Sequence, residues 1–383
     1  MSTDSLAAAI DGIALVDHHV HGALRQNTDR ASLEQMLTES DRPIPSWMTQ
    51  FDSQIGFAVR RWCAPALGLA PHVPPEEYLA VRRELGAPEV TRRLLAASGI
   101  GHYLLETGYR GAEILGIHGM AEASGRPVDE IVRLEAVLED VARTGVAAAD
   151  LPARFREVLA ERTAHAVGLK SIVAYRHGFD FEPEPPTERE VVRAAGAWLE
   201  ASQDTGAYRV SDPVLLRFAL WAGVERGLPI QLHAGYGDPD VELHRCDPLL
   251  LTRFIKLVEP RGVDLLLLHC YPFQRNAGYL AQVFPQVYFD VGLGVNYTGA
   301  RSDAVVAESL ELAPFAKILF SSDAWGPPEL HHLGALLWRR GLTRALARWV
   351  EEGDWHLDDA VRVARMIGRD NARRVYGLAG SEA

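Results

Sequence analysis

Ile13-Ala14-Leu15-Val16-Asp17-His18-His19-Val20-His21-Gly22 reads as a buried strand that runs out into a loop. Four apolar residues lead to a polar end, and a glycine closes it. Alternate side chains of a strand share a face, so His19 and His21 point the same way, with Asp17 one step deeper. Two imidazoles on one face at a strand end can grip one metal ion from one side. The competing reading is a surface cluster of histidines or the scar of a tag. A tag would be a longer run and would not sit inside an apolar strand.

Similar punctuation recurs downstream. Short apolar runs at 102–106, 131–134, 169–175, 229–232, 263–268, 287–291 and 317–320 read as strands, separated by helical stretches. The run at 131–134 is ambiguous, because 128–142 also reads as one amphipathic helix. Strands alternating with helices imply a parallel sheet. Together with the first strand they predict an α/β fold, a (β/α)8 TIM barrel, as a single domain over residues 1–383. Residues 25–98 carry no strand signal and predict a helical insertion after the first strand. Two readings of it stay open: a lid over the barrel mouth, or an extra packing layer.

Barrels of this kind place their chemistry at the C-terminal ends of the strands. The polar residues of this chain gather there. His233 ends the fifth strand, Leu265-Leu266-Leu267-Leu268 gives way to His269, and Ile318-Leu319-Phe320 gives way to Ser321-Ser322-Asp323. A lone histidine at a strand end is more often a hydrogen-bonded core or surface residue. Four histidines and an aspartate converging on one mouth predict a catalytic metal centre. Arg176 closes the predicted fourth strand, where it binds a substrate carboxylate or else a loop carbonyl. Trp325 forms a pocket wall or packs beside Pro327-Pro328. Asp238 and Asp290 read as orienting groups. His331-His332 reads as a solvated helix start.

This ordered set resembles the amidohydrolase superfamily, and within it the "amidohydrolase 2" type. The segments Gly168 to Arg176, His233 to Asp238, His269-Cys270-Tyr271-Pro272-Phe273, Ala277 to Leu280 and Phe320 to Ala324 are similar to the N-terminal amidohydrolase domain of FluG-like proteins. The resemblance is to that domain alone, and a glutamine-synthetase-like half is not expected in this sequence. The resemblance implies that His19, His21, His233 and Asp323 bind a divalent metal, zinc first, with manganese or iron as alternatives. It makes Asp323 the proton carrier, and makes His269 either the stabiliser of the developing oxyanion or a second-metal ligand. Lys170 is then either a carbamylated bridge between two metals or a buried lysine paired with a carboxylate such as Asp17. One ion is favoured over two, because Lys170 falls early in its predicted strand.

Composition narrows the function further. A net charge of −12 over 383 residues argues against a nucleic-acid surface or a polybasic membrane patch. Cys63, Cys246 and Cys270 form no CxxC pair and read as reduced thiols. No leader is visible, and no apolar run approaches about 18 residues. These features predict a soluble cytoplasmic enzyme for a small-molecule substrate, with a homodimer as the expected assembly. The resemblance predicts hydrolysis of an amide or related C–N bond in a small carboxylated substrate, with a γ-glutamyl amide as the guess. A metal-dependent decarboxylase and a non-catalytic binding protein are the alternatives.

Overall fold

The computed structural model describes residues 3–378. Its centre is a parallel sheet of seven strands in chain order: β1 Leu15–Val20, β2 Ile100–Glu106, β3 Val128–Arg133, β4 Gly168–Ser171, β5 Ile230–Ala234, β6 Leu265–His269 and β7 Val287–Phe289. The strands are short and mostly apolar because helices cover the sheet. β1, β4, β5, β6 and β7 are buried at every residue. The ambiguous third strand exists and starts three residues earlier than expected. No helix among the described residues is long and apolar enough to cross a membrane.

Two strand expectations need correction. The fourth strand does not run to Tyr175. It stops at Ser171, and Val173–Arg176 is a helical turn. Ile172-Val173-Ala174-Tyr175 is a short apolar run, whose period cannot separate strand from helix. The eighth place is not a ladder strand either. Phe315–Lys317 is a 3-10 turn, and a lone parallel bridge joins Ile318 to Phe289. Residues 318–324 still span the gap between β7 and β1. Leu319 N–H donates to Phe289 O at 3.0 Å, His18 N–H to Phe320 O at 3.2 Å and His21 N–H to Ala324 O at 2.8 Å. The sheet therefore curls until its two edges are linked through one extended segment.

Between β1 and β2 the chain is helical, with helices at Arg30–Gln35, Gln54–Ala58, Pro75–Leu85 and Ala87–Ser98 among others. The helix Gln54–Ala58 continues as a π-helical turn over Val59–Cys63. This segment is latched to the helix Pro328–Glu351 by a buried ion pair. Arg82 Nε lies 2.7 Å from Glu329 Oε1, and the Tyr78 hydroxyl donates to the same oxygen at 2.9 Å. All three side chains are buried.

The expectation of a solvated start for that helix is wrong. His331 and His332 are buried, because the helical segment between β1 and β2 packs on the first turns, with His332 Nε2 3.3 Å from the Trp62 carbonyl. Neither ring nitrogen of His331 has a hydrogen-bond partner among the described residues, and burial pushes its pKa down to about 3. The folded chain therefore keeps His331 neutral while the unfolded chain protonates it below about 6.5. Stability from this source is complete above that value and falls as pH drops toward 3. His331→Leu is expected to raise the melting temperature, with a gain larger at pH 5 than at pH 8 by about 2 kcal/mol. Equal gains at both pH values in thermal unfolding would count against it.

Candidate metal centre

The register of β1 slips between Asp17 and Val20, and this lets adjacent histidines join one interior network. His18 Nε2 lies 3.0 Å from Asp290 Oδ2, and its Nδ1 lies 3.0 Å from the Tyr376 hydroxyl. Gln231 on β5 donates through Nε2 to the His18 carbonyl at 2.6 Å and to the Tyr376 oxygen at 2.8 Å. A carbonyl accepts only, so the amide orientation is set, and Oε1 faces His19 Nδ1 at 2.7 Å. His19 Nδ1 must then carry the proton, which leaves the lone pair on Nε2. That Nε2 lies 3.0 Å from Asp323 Oδ1.

His21 Nε2 lies 3.9 Å from the same oxygen, and its Nδ1 stands 3.2 Å from Glu106 Oε2 without the alignment of a hydrogen bond. His269 Nε2 is 3.4 Å from Asp323 Oδ2. Among the described residues, His19, His21 and Asp323 bring their ligating atoms within 4.8 Å of one another. His233 stands just outside this trio. Its Nε2 donates to the Tyr236 carbonyl at 3.0 Å, and its ring packs 4.8 Å from that of His269. Asp17, expected beneath the histidines, instead accepts the Ser322 N–H and hydroxyl at 2.9 and 2.5 Å. It thereby braces the turn that presents Asp323.

The electrostatics favour a cation here. Burial pushes His21 down to about 4 and drives His19, His233 and His269 well below the usual histidine range. Burial also raises the carboxyl of Asp323 well above its ordinary value, with the Lys170 charge opposing. These contacts are therefore close approaches of neutral imidazoles to a costly buried carboxylate, rather than ion pairs. Both ring nitrogens of His269 are buried without a hydrogen-bond partner among the described residues. Neutral imidazoles, a carboxylate and orphaned nitrogens form the donor set that a divalent metal satisfies.

Backbone strain marks the same two residues. His269 (φ 69°) and Asp323 (φ 49°) occupy the left-handed region, as does Cys270 (φ 56°). Non-glycine residues hold that conformation at functional sites when the surroundings over-determine it. Asp290 supplies part of that constraint by accepting the His269 N–H at 3.0 Å, the Gly292 N–H at 2.7 Å and the Ser321 hydroxyl at 2.8 Å.

Every candidate ligand, catalytic and substrate-binding residue lines one cavity of about 330 Å³: His19, His21, His233, His269, Asp323, Lys170, Arg176 and Trp325. Because β4 ends at Ser171, Lys170 sits at the strand's C-terminal end and is not too deep. It is not paired with Asp17, and no carboxylate lies within 4.0 Å of its ammonium among the described residues. Burial lowers it to about 8, and the charge of Asp323 pulls in the other direction. Arg176 reaches the wall from the helical turn rather than from a strand end, with Nη1 3.0 Å from Glu139 Oε1. Trp325 stands edge-on to Tyr109 at 5.5 Å. Sequence reading did not single out Glu106, Arg133 or Gln231. The strand-end rule, applied to β2 and β3, would have reached the first two. A larger hollow of about 740 Å³ touches Ala9, Leu357 and Arg374 and contains none of these groups. All three cysteines are free and buried.

The amidohydrolase family model of the Amidohydro_2 type matches residues 115–378, more than half of the chain. The chain belongs to this family. Protein fluG of Emericella nidulans is 34% identical over 225 residues, covering 55% of this chain and 26% of that protein. The chain thus spans about a quarter of that relative. A structure from Lactobacillus casei ATCC 334, assigned as a metal-dependent hydrolase, superposes with a TM-score of 0.85 at 29% identity, covering 97% of both chains. A uronate isomerase of Bacillus halodurans C-125 superposes with a TM-score of 0.67 at 13% identity, over 98% of this chain and 96% of that one. At that identity it shares the fold alone. The neighbours of this amidohydrolase are α/β barrel-like proteins, as the curled parallel sheet requires.

Proposed function

We propose that this amidohydrolase cleaves an amide or related C–N bond of a small carboxylated substrate, with a γ-glutamyl amide as the first class to test. The observation that carries the reading is Asp323, which faces His19 and His21 with one oxygen and His269 with the other. His19, His21 and Asp323 would hold the metal, with His233 beside them as the fourth expected ligand. A divalent ion held there would supply Lewis acidity toward a carbonyl and a water. Asp323 takes the proton of that water and returns it to the leaving nitrogen. His269, unbonded and neutral, donates to the developing oxyanion, and the ammonium of Lys170 adds positive charge on the same wall. We also count residues 318–324 as the eighth barrel strand and take the insertion as the roof of the cavity.

Two measurements test the reading. Chelator-free protein should carry about one equivalent of zinc, manganese or iron by plasma mass spectrometry, and a His19→Ala, His21→Ala double variant should lose it. The metal-replete enzyme should release amine or ammonia from L-glutamine or L-γ-glutamyl-p-nitroanilide. Two equivalents would make Lys170 a bridge and His269 a ligand. Carbon dioxide release from an aromatic or unsaturated acid, without amine release from any amide, would replace hydrolysis with decarboxylation. Absence of metal uptake on reconstitution would move the chain to a binding role.

A further inference from the structure

Three arginines line the cavity, and they are held differently. Arg209 pairs with Asp240 at 2.6 Å on the exposed rim. Arg176 is drawn back to Glu139 and to the Val210 carbonyl through Nη1. Arg133 ends β3, in register with Lys170 on β4, which is in turn in register with Gln231 on β5. Aligned residues of parallel strands share a face, so Arg133 stands on the interior wall beside the unpaired ammonium and two strands from the group that orients His19.

Arg133 is anchored along one edge only. Its Nε donates to Glu106 Oε1 at 3.1 Å and its Nη2 to Glu106 Oε2 at 2.5 Å. Nη1 makes no hydrogen bond among the described residues. Glu106 is fixed in turn by the Gly108 N–H at 2.5 Å. A Cβ on Gly108 would fall 2.7 Å from both Glu106 Oε1 and Arg133 Cβ, so only glycine lets this fork close. The guanidinium carbon lies 5.7 Å from the centre of the Tyr109 ring, and that ring neighbours His21 at 5.3 Å. A planar cation clamped on one edge and flanked by an aromatic ring is preorganised to accept a carboxylate on its open edge.

The geometry points to Arg133, rather than Arg176, as the receptor for a carboxylate of the substrate. The assignment deepens the function proposed above and rests on the same cavity. It restricts the substrate to an acyl compound whose free carboxylate lies a short chain away from the scissile bond, since the cavity is small and Arg133 shares Glu106 with His21. Glu106 already neutralises Arg133 in part. The ammonium of Lys170 supplies the further positive charge that a bound carboxylate meets.

The test is binding, so that it stands apart from turnover. Metal-replete protein is titrated calorimetrically with glutarate and with its uncharged diamide, glutaramide. Wild type should prefer glutarate. Arg133→Met should lower glutarate affinity on the order of 10- to 100-fold, while glutaramide binding and metal content stay unchanged. Arg133→Lys, which keeps the charge but not the fork, should recover only part of the loss and covers the case of a methionine variant that fails to fold. Unchanged glutarate affinity in either variant overturns the assignment. So does a loss that falls on Arg176→Met instead, or a wild type that binds no glutarate. Glutarate binding through Arg133 in a protein that hydrolyses no amide would sink the reaction proposed above and leave this assignment standing.

Discussion

Asp323→Asn is expected to lower kcat/KM for the substrate class proposed above by on the order of 10³- to 10⁴-fold while raising the melting temperature of the metal-free protein. The two effects have one origin. Asp323 is a buried carboxylate among neutral imidazoles, and burial is the largest influence on it, so its charge costs stability when no cation compensates it. Asparagine keeps the shape and tolerates the left-handed backbone at this position, but it cannot take a proton from water. With metal added, the order should reverse: wild type gains stability by mass action in proportion to its affinity, and the variant gains less. Melting curves in chelator and in excess zinc would show the crossing. A variant less stable than wild type in both conditions would mean that Asp323 is there for packing.

The largest loss of stability is expected at Glu329→Ala. Its carboxylate is buried, with Arg82 2.7 Å away and the Tyr78 hydroxyl at 2.9 Å. Burial, the largest single influence, would push the Glu329 carboxyl up, and the Arg82 charge together with the hydrogen bonds from Arg82, Tyr78 and the backbone outweighs it, so the group stays ionised. Removing one partner strands the other charge in the interior, which costs about 3–5 kcal/mol. Tyr78→Phe, which gives up one hydrogen bond and leaves the pair intact, should cost only about 1–2 kcal/mol. Replacing both charges, as Arg82→Met with Glu329→Leu, should restore much of the loss, because desolvating the pair offsets most of its attraction. Denaturant unfolding of the three variants separates these cases. A cost below about 1 kcal/mol for Glu329→Ala would show that the latch is not what holds the insertion down.

Much of the candidate site was legible in the sequence because each candidate ligand lies where an apolar run stops. His19, His21, His269 and Asp323 each follow buried strand or bridge residues, and the fold carries strand ends to one mouth. What was hidden depends on partners remote in sequence. Gln231 sits inside its strand, and only the contact across the interior from β5 to β1 shows that it orients His19. Arg133 and Glu106 look like ordinary charged residues until β2 and β3 are paired. Lys170 read as too deep because Ile172-Val173-Ala174-Tyr175 could have extended the strand, whereas the chain turns helical there. His331 and His332 read as exposed because the sequence does not show that the insertion folds over them.

The left-handed backbone at His269 and Asp323 limits how this centre can change over evolutionary time. Each position must satisfy a dihedral angle as well as a chemistry. Asp, Asn and His are the side chains most at ease in that region apart from glycine, and two of the three are also good metal ligands. Cysteine and glutamate bind metals too, yet both would carry the steric penalty of the conformation. The repertoire of ligands open to drift at these two positions is therefore narrower than coordination chemistry allows. A lineage that adopts a softer or larger metal is expected to change its ligands first on the extended strand β1 and to leave residues 269 and 323 as they are.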